Sequence, residues 1–244
     1  MKVNEIEVNY IDYGKKEGKP LVFLHGWGQN VEMMKPIADP FQSEYRIIIL
    51  DLPGHGKSTE PPYAWQFEEF VDFLRRFLKK IDVENPILLG HSFGGKISLL
   101  YASEYNVEKL VVFGSTYKKE IQKLSLKTKV LKQLKKVPVL KQFEEFAKKH
   151  IGSTDYKNAS KIMREILVNH VNYDITEQTK KIKAPTLIVW GSKDEAVPVE
   201  DAYILEKNIP NAGVVLYDNC THYAYLERLN QTISVLQSFF DSKE

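Results

Sequence analysis

The stretch that most constrains the fold is Pro86 to Tyr101, which reads Pro-Ile-Leu-Leu-Gly-His-Ser-Phe-Gly-Gly-Lys-Ile-Ser-Leu-Leu-Tyr. The apolar run Ile87-Leu88-Leu89 reads as a buried strand ending at Gly90, and a helix-permissive apolar run begins at Lys96. Ser92 is therefore expected at a strand-to-helix turn. A turn tight enough to lift a serine hydroxyl clear of the backbone forces strained φ/ψ on the serine and leaves no room for Cβ atoms two residues to either side. Gly90 and Gly94 supply that room, and Gly95 adds a second close approach where helix and sheet can pack. Ordinary strand-to-helix turns also carry glycine-flanked serines, so the rest of the chain has to decide.

The rest of the chain alternates in the same way. Leu21-Val22-Phe23-Leu24 and Arg46-Ile47-Ile48-Ile49-Leu50-Asp51 are short apolar strands of the kind buried on both faces of a parallel sheet. Between Trp65 and Asp82, Phe67, Phe70, Val71, Leu74, Phe77, Leu78 and Ile81 recur at the spacing of one helical face. After Leu110-Val111-Val112-Phe113 the pattern stops, and it resumes at Pro185-Thr186-Leu187-Ile188-Val189-Trp190. A helix near Val199 to Asn208, a strand near Val214 to Tyr217 and a helix from about Tyr225 to Phe240 complete it. Alternating strands and helices predict a mostly parallel α/β sheet with right-handed crossovers and helices on both faces. Residues 1 to 13 read as a hairpin ahead of it.

Residues 117 to 183 interrupt this order with helical patterns rich in lysine. They carry 17 Lys and Arg against 7 Asp and Glu, whereas the whole chain of 244 residues has a net charge of only +2. The expected organisation is one core domain, 1–116 with 184–244, and a helical insertion at 117–183. No run of about 18 apolar residues is present, so no membrane-spanning helix is expected. The N-terminus, Met1 to Val8, alternates polar and apolar residues and lacks the apolar stretch of a secretion signal. With a single cysteine, Cys220, the cytoplasm is the expected location.

Gly90-His91-Ser92-Phe93-Gly94, between a strand and a helix, resembles the G-x-S-x-G nucleophile elbow of the α/β-hydrolases. The resemblance implies an α/β-hydrolase fold and a triad in the chain order serine, acid, histidine, because a serine hydroxyl needs an adjacent base oriented by a carboxylate. Asp194, in Trp190-Gly191-Ser192-Lys193-Asp194, fits the acid, and His222, in Asn219-Cys220-Thr221-His222, fits the base. Both follow strands, at the sheet edge where open α/β folds place their sites. The family's oxyanion donors are the N–H after the nucleophile, here Phe93, and one from the loop after an earlier strand, where His25-Gly26-Trp27-Gly28 matches and Trp27 would donate.

The other candidates read as architecture. Asp51 to Ser58 resembles the D-x-P-G-x-G-x-S turn of many relatives, with Asp51 as its anchor, and its spacing excludes a P-loop. Gly114-Ser115-Thr116, the alternative acid position in some relatives, holds no carboxylate. His55 and His91 occupy positions that are usually structural in relatives, and His150 and His170 lie in the insertion as solvated or packed residues. Cys220 reads as packing. Neither a metal nor a cofactor is implied, since no H-E-x-x-H and no Cys/His set with zinc spacing occurs.

In α/β-hydrolases an insertion at this point forms a lid whose lining sets substrate choice. Trp27, Tyr117 and Phe143 are the expected substrate-contacting residues, with Leu131, Leu134, Val139, Leu140 and Phe146 adding an apolar face. Lys118, Lys119, Lys123, Lys127, Lys129, Lys132, Lys135 and Lys136 are either solvated helix faces or a surface that steers an anionic partner.

The implied activity is hydrolysis of carboxylic esters with small or medium acyl chains through an acyl-enzyme. A second reading follows from the His-Gly-Trp-Gly loop, the chain length and the basic insertion, which are similar to the esterases that cleave the methyl ester of pimeloyl-carrier protein. It adds an acidic carrier protein to the small-molecule ester as partner. A third, non-enzymatic reading is a ligand sensor that keeps the fold and triad but turns over slowly. No nucleic-acid partner is expected under any of them.

Overall fold

The computed structural model describes residues 1–119 and 159–242. Seven strands form one sheet: β3 (Tyr10–Gly14), β4 (Pro20–Leu24), β5 (Arg46–Leu50), β6 (Ile87–His91), β7 (Lys109–Phe113), β8 (Thr186–Gly191) and β9 (Ala212–Tyr217). Their spatial order is β3-β5-β4-β6-β7-β8-β9, and every pair is parallel except β3 with β5. The mostly parallel α/β sheet expected from the sequence is therefore the one observed.

Side chains along these strands alternate between two buried layers. Val22, Leu24, Ile48, Leu50, Leu88, Leu110, Val112, Ile188 and Trp190 pack into one core, while Leu21, Phe23, Ile47, Ile49, Ile87, Leu89, Val111, Phe113, Leu187 and Val189 pack into the other. This period-2 division is why the strands read as continuous apolar runs: both faces are covered. The first face carries α2 (Phe67–Lys80), α3 (Ser92–Glu104) and, later in the chain, α6 (Glu200–Asn208), through residues such as Phe70, Ile97 and Leu205. The opposite face carries α1 (Lys35–Ala38), α7 (Ala224–Glu227) and α8 (Leu229–Asp241), through Ile37, Tyr225 and Leu236. α2 buries Phe67, Phe70, Val71, Phe73, Leu74, Phe77 and Leu78 on one stripe. Its start is closed by Gln66 and Glu69, whose carboxylate takes the Gln66 N–H at 2.7 Å.

The N-terminal expectation needs correction. Only β1 (Lys2–Val3) and β2 (Ile6–Glu7) form a hairpin, turned at Asn4 with φ +53°, and the chain then leaves it to add β3 to the main sheet. β3 has a better partner than β2 offers. It runs antiparallel to β5 over five residue pairs, and the Arg46 guanidinium grips Asp12 at 2.6 Å on that edge. Asn9 adds hydrogen bonds to Asp51 and Ser58 at 2.7 and 3.0 Å.

Of the 117–183 segment, the structure describes the two ends. α4 (Lys161–Asn172) is capped by Ser160, whose hydroxyl accepts from the Met163 N–H at 3.1 Å, and α5 (Thr176–Thr179) follows. Where the chain leaves and rejoins the core, the Ile175 N–H donates to the Tyr117 carbonyl at 2.7 Å, and the Lys119 N–H donates to Asp174 at 3.2 Å. Lys96, fully buried on α3, donates through Nζ to the carbonyls of His170 and Tyr173 at 2.9 and 2.5 Å, fastening the end of α4 to the helix that follows Ser92.

Candidate active site

β6 runs directly into α3, and the junction residue Ser92 has φ +51°. That left-handed conformation costs a side-chain-bearing residue about 1–3 kcal/mol, so the surroundings must enforce it. They do so by close packing. A Cβ on Gly94 would stand 2.5 Å from the His25 carbonyl oxygen and 2.6 Å from that of Leu24, so only glycine lets the first turn of α3 lie against the end of β4. Phe93, fully buried, is the second residue of α3, and its N–H has no intrahelical acceptor. The helix dipole makes that position favourable for negative charge.

Asp194 and His222 meet across the loops that follow β8 and β9. The His222 Nδ1–H donates to Asp194 Oδ2 at 2.8 Å, with the Asp194 side chain fully enclosed and that of His222 only 15% exposed. Asp194 Oδ1 accepts the N–H groups of Ala196 and Val197, both at 2.9 Å, which fixes the carboxylate plane. With its proton on Nδ1, the imidazole keeps an unprotonated Nε2, the form a general base requires. The two loops are tied to each other by the Lys193 N–H to Cys220 O at 2.8 Å and the Asn219 N–H to Ser192 Oγ at 2.9 Å. Glu227 then braces the histidine loop by accepting from the Thr221 N–H at 2.9 Å and from its hydroxyl.

His222 also touches the elbow. The Nε2–H of His91 donates to the His222 carbonyl at 3.1 Å, and the two rings lie 4.7 Å apart, which brings the base beside the residue preceding Ser92. Among the described residues the Ser92 hydroxyl makes no hydrogen bond. Contacts between nucleophile and base are often long before substrate binds and tighten in the complex.

The loop after β4 is held rigidly. His25, fully buried, accepts the Leu52 N–H on Nε2 at 3.0 Å and donates from Nδ1 to the Gly26 carbonyl at 2.7 Å. Both bonds need the neutral ring, and burial pushes its pKa down to about 4. The Gln29 N–H reaches the same carbonyl at 3.2 Å. Because the peptide is planar and trans, anchoring the Gly26 oxygen turns the Trp27 N–H the opposite way. The Trp27 ring stands edge-on to Phe93 at 5.2 Å and to His55 at 4.8 Å.

Other expected residues fall as follows. Tyr117 is buried within the core, and Phe143 lies outside the described residues, as do Leu131, Leu134, Val139, Leu140, Phe146, His150 and the lysines from 123 to 136. Lys118 is bound to the buried carboxylate of Asp201 at 2.5 Å. His170 is packed rather than solvated, with its ring 5.0 Å from Phe93 and 5.4 Å from Phe67. Asp51 accepts from the Val31 and Lys57 N–H groups at 2.7 and 2.8 Å, an anchor for the loop it begins. Cys220 is buried.

Sequence reasoning missed Gly114, Gln29 and Glu227. Gly114 follows β7 with φ +51°, and a Cβ there would stand 3.1 Å from His222 Nδ1 and 3.2 Å from Asp194 Oδ2. A glycine directly after a strand was the available signal. Gln29 and Glu227 carried none, because their partners are set by loop conformation. Among the described residues no three His, Cys, Asp or Glu side chains gather into a metal site, and no helix is long and apolar enough to cross a membrane.

Comparison with known proteins gives consistent matches. A family model described as alpha/beta hydrolase fold matches residues 19–115 and 109–229. The chain is 28% identical to Lipase 1 of Psychrobacter immobilis over 94% of its own length and 79% of that protein. It is 27% identical to the pimeloyl-[acyl-carrier protein] methyl ester esterase of Legionella pneumophila (strain Lens), covering 91% of this chain and 95% of the other. The crystal structure of bromoperoxidase from Bacillus anthracis superposes with a TM-score of 0.78 at 25% identity, covering 97% and 96% of the two chains. These names span several chemistries on one scaffold, so the reaction has to be argued from the site itself.

Proposed function

The chain belongs to the alpha/beta hydrolase family, and from that premise we propose that it is a carboxylic ester hydrolase with Ser92 as nucleophile, His222 as base and Asp194 as its orienting acid. The observation that carries this reading is the 2.8 Å bond from His222 Nδ1 to the enclosed Asp194 carboxylate, with the same histidine bonded to His91, the residue preceding a serine strained to φ +51°.

In this mechanism Ser92 Oγ attacks the ester carbonyl carbon while its proton passes to His222 Nε2. The carbonyl π electrons move onto oxygen, and the Trp27 and Phe93 N–H groups receive the oxyanion. Its collapse breaks the bond to the alcohol, which leaves with the proton from His222. A water molecule then gives a proton to His222 and attacks the acyl-enzyme. A second oxyanion forms and collapses, and the carboxylic acid departs as Ser92 regains its proton. Asp194 stabilises the imidazolium in both halves. Trp27, with Tyr117 and Phe143, is proposed to line the acyl side, and residues 117–183 to form the lid of a core made of 1–116 and 184–244.

The test is turnover of p-nitrophenyl acetate and butyrate with fluorophosphonate labelling. Ser92→Ala is expected to lose both label and about 10⁴-fold or more in kcat, because the triad acts as one unit. Unchanged turnover would refute the assignment, and negligible turnover by the unaltered protein, with Ser92 still labelling, would favour the sensor.

A narrower substrate is favoured by two observations: the similarity to the Legionella methyl ester esterase and the excess of 17 basic over 7 acidic residues in 117–183. On this reading the ester is presented by an acidic carrier protein. Hydrolysis of a carrier-bound methyl ester should then exceed that of the free ester and weaken as salt is raised.

A further inference from the structure

Two side chains outside the proposed catalytic set touch three of the four loops that the reaction uses: those after β4, β6 and β9. Gln29 belongs to the loop after β4, where its Oε1 accepts the Gly26 N–H at 2.9 Å while its backbone N–H donates to the Gly26 carbonyl. Its amide also faces the far side of the site. Nε2 reaches the Tyr223 hydroxyl at 3.4 Å, and Oε1 lies 3.3 Å from His91 Nδ1.

His91 is the last residue of β6, immediately before Ser92, and is fully buried. A carbonyl can only accept, so the 3.1 Å contact with His222 O places the ring proton on Nε2. The ring is packed among His222, Tyr223 and Tyr225 at centroid distances of 4.7, 5.4 and 5.0 Å. With its proton on Nε2, His91 Nδ1 only accepts, as does Gln29 Oε1, so the two side chains act in parallel rather than through each other: Gln29 joins residue 26 to residue 223, and His91 joins the elbow to residue 222.

We propose that Gln29 and His91 are positioning residues that hold the oxyanion loop at a set distance from the histidine loop across the elbow. The proposal rests on the esterase reading above and deepens it. The Trp27 N–H and His222 Nε2 act on one carbonyl centre from different loops, and no backbone ladder joins the loop after β4 to the loop after β9: the two strands lie at separate places in the sheet, with β6, β7 and β8 between them. The Gln29 side chain holds the N–H of the His25–Gly26 peptide, and its backbone N–H holds the carbonyl of the next peptide, whose orientation turns the Trp27 N–H. The His222 carbonyl that His91 grips belongs to the base itself. A misplacement of about 1 Å in such a pair is enough to cost about 10²-fold in rate.

The experiment compares Gln29→Met, Gln29→Glu and His91→Phe with the unaltered protein. The first is similar in length but loses both polar groups, the second keeps an oxygen acceptor for the Gly26 N–H, and the third keeps a ring without its nitrogens. Measured are kcat and KM for p-nitrophenyl butyrate, the rate of fluorophosphonate labelling, and amide hydrogen exchange in residues 25–30 and 219–225. Gln29→Met and His91→Phe are expected to lower kcat and labelling about 10- to 100-fold with KM within about threefold, and Gln29→Glu to recover most of the loss. Either non-polar variant should speed exchange in both segments, although Gln29 belongs only to the first and His91 to neither.

Gln29→Met with kcat within twofold of the unaltered protein, or with faster exchange confined to residues 25–30, would overturn the proposal. A parallel change in KM and thermal stability, with no separate loss in kcat, would overturn it too. Gln29 is only half-buried, so its variants decide the matter even if His91→Phe fails to fold. Should the unaltered protein neither turn over ester nor label at Ser92, the esterase reading falls, and the coupled exchange still upholds or overturns the bridge.

Discussion

Trp27 and Phe93 meet edge to face, with ring centroids 5.2 Å apart and planes at 85°. They come from loops after different strands, and their backbone amides are the proposed oxyanion donors. The ring contact packs the two loops against each other, while the amides are held by the backbone bonds of their own loops, and the side chains are the ones proposed to shape the acyl side.

This separates backbone from side chain at Trp27. Trp27→Ala keeps the N–H and should alter the acyl-chain-length profile and KM, with kcat within about tenfold. Trp27→Pro removes the N–H and should cost about 10²–10³ in kcat. Steady-state kinetics on acetate, butyrate and octanoate esters checks both, with thermal melting to confirm folding.

Asp194→Asn should leave the fold intact, because Oδ1 and its bonds from Ala196 and Val197 have a counterpart in the amide. The amide NH₂ that replaces Oδ2 favours the tautomer with the proton on Nε2, which cannot act as base. A loss of about 10³–10⁴ in kcat with little change in melting temperature is expected. A loss of less than tenfold would mean that another carboxylate orients His222.

Gly114→Ala tests a position that touches chemistry without taking part in it. The new methyl would sit 3.1 to 3.2 Å from the bonded atoms of His222 and Asp194, on a backbone at φ +51°. Stability should fall by about 1–2 kcal/mol from the conformation alone. Activity should fall further than that, by about tenfold or more, as the pair is pushed apart. Denaturant melts and kcat measured on the same sample separate the two effects.

Acid should destabilise this protein through its histidines. Burial holds His25 at about 4, and His91 and His170 at about 3, against 6.5 when free. Between those values and 6.5 the unfolded chain binds protons that the native state does not, so stability falls as pH is lowered through that window. The slope is about 1.4 kcal/mol per pH unit for each group. Melting temperature should hold above pH 7 and drop from about pH 6.5 downward, and His170→Phe, which preserves the packing on Phe93 and Phe67, should flatten the curve.

Much of this architecture was legible because a parallel sheet covered on both faces needs apolar residues at every strand position. Leu21 to Leu24 and Ile47 to Leu50 could hardly be anything else. β3 was not legible as part of the sheet, since Tyr10-Ile11-Asp12-Tyr13 alternates like any half-exposed strand and nothing local says whether its partner is β2 or β5. The elbow glycines, Asp194 and His222 stood out by motif and order, and the structure brings the last two into direct contact. What held them was hidden: Gly114, Gln29 and Glu227 act through loop conformations that no periodicity encodes. The expected lid lining, from Leu131 to Phe146, lies outside the described residues.

The hydrogen bond from Ile175 to Tyr117 has a further consequence. A chain that departs from a scaffold and comes home one residue's width away imposes almost no tension on it, whatever its excursion in between. Such a segment can lengthen, shorten or reverse its charge over evolutionary time while the strands keep their register. On the proposed lid role of that segment, taste for one molecule over another and the ability to break it can thus drift on separate clocks.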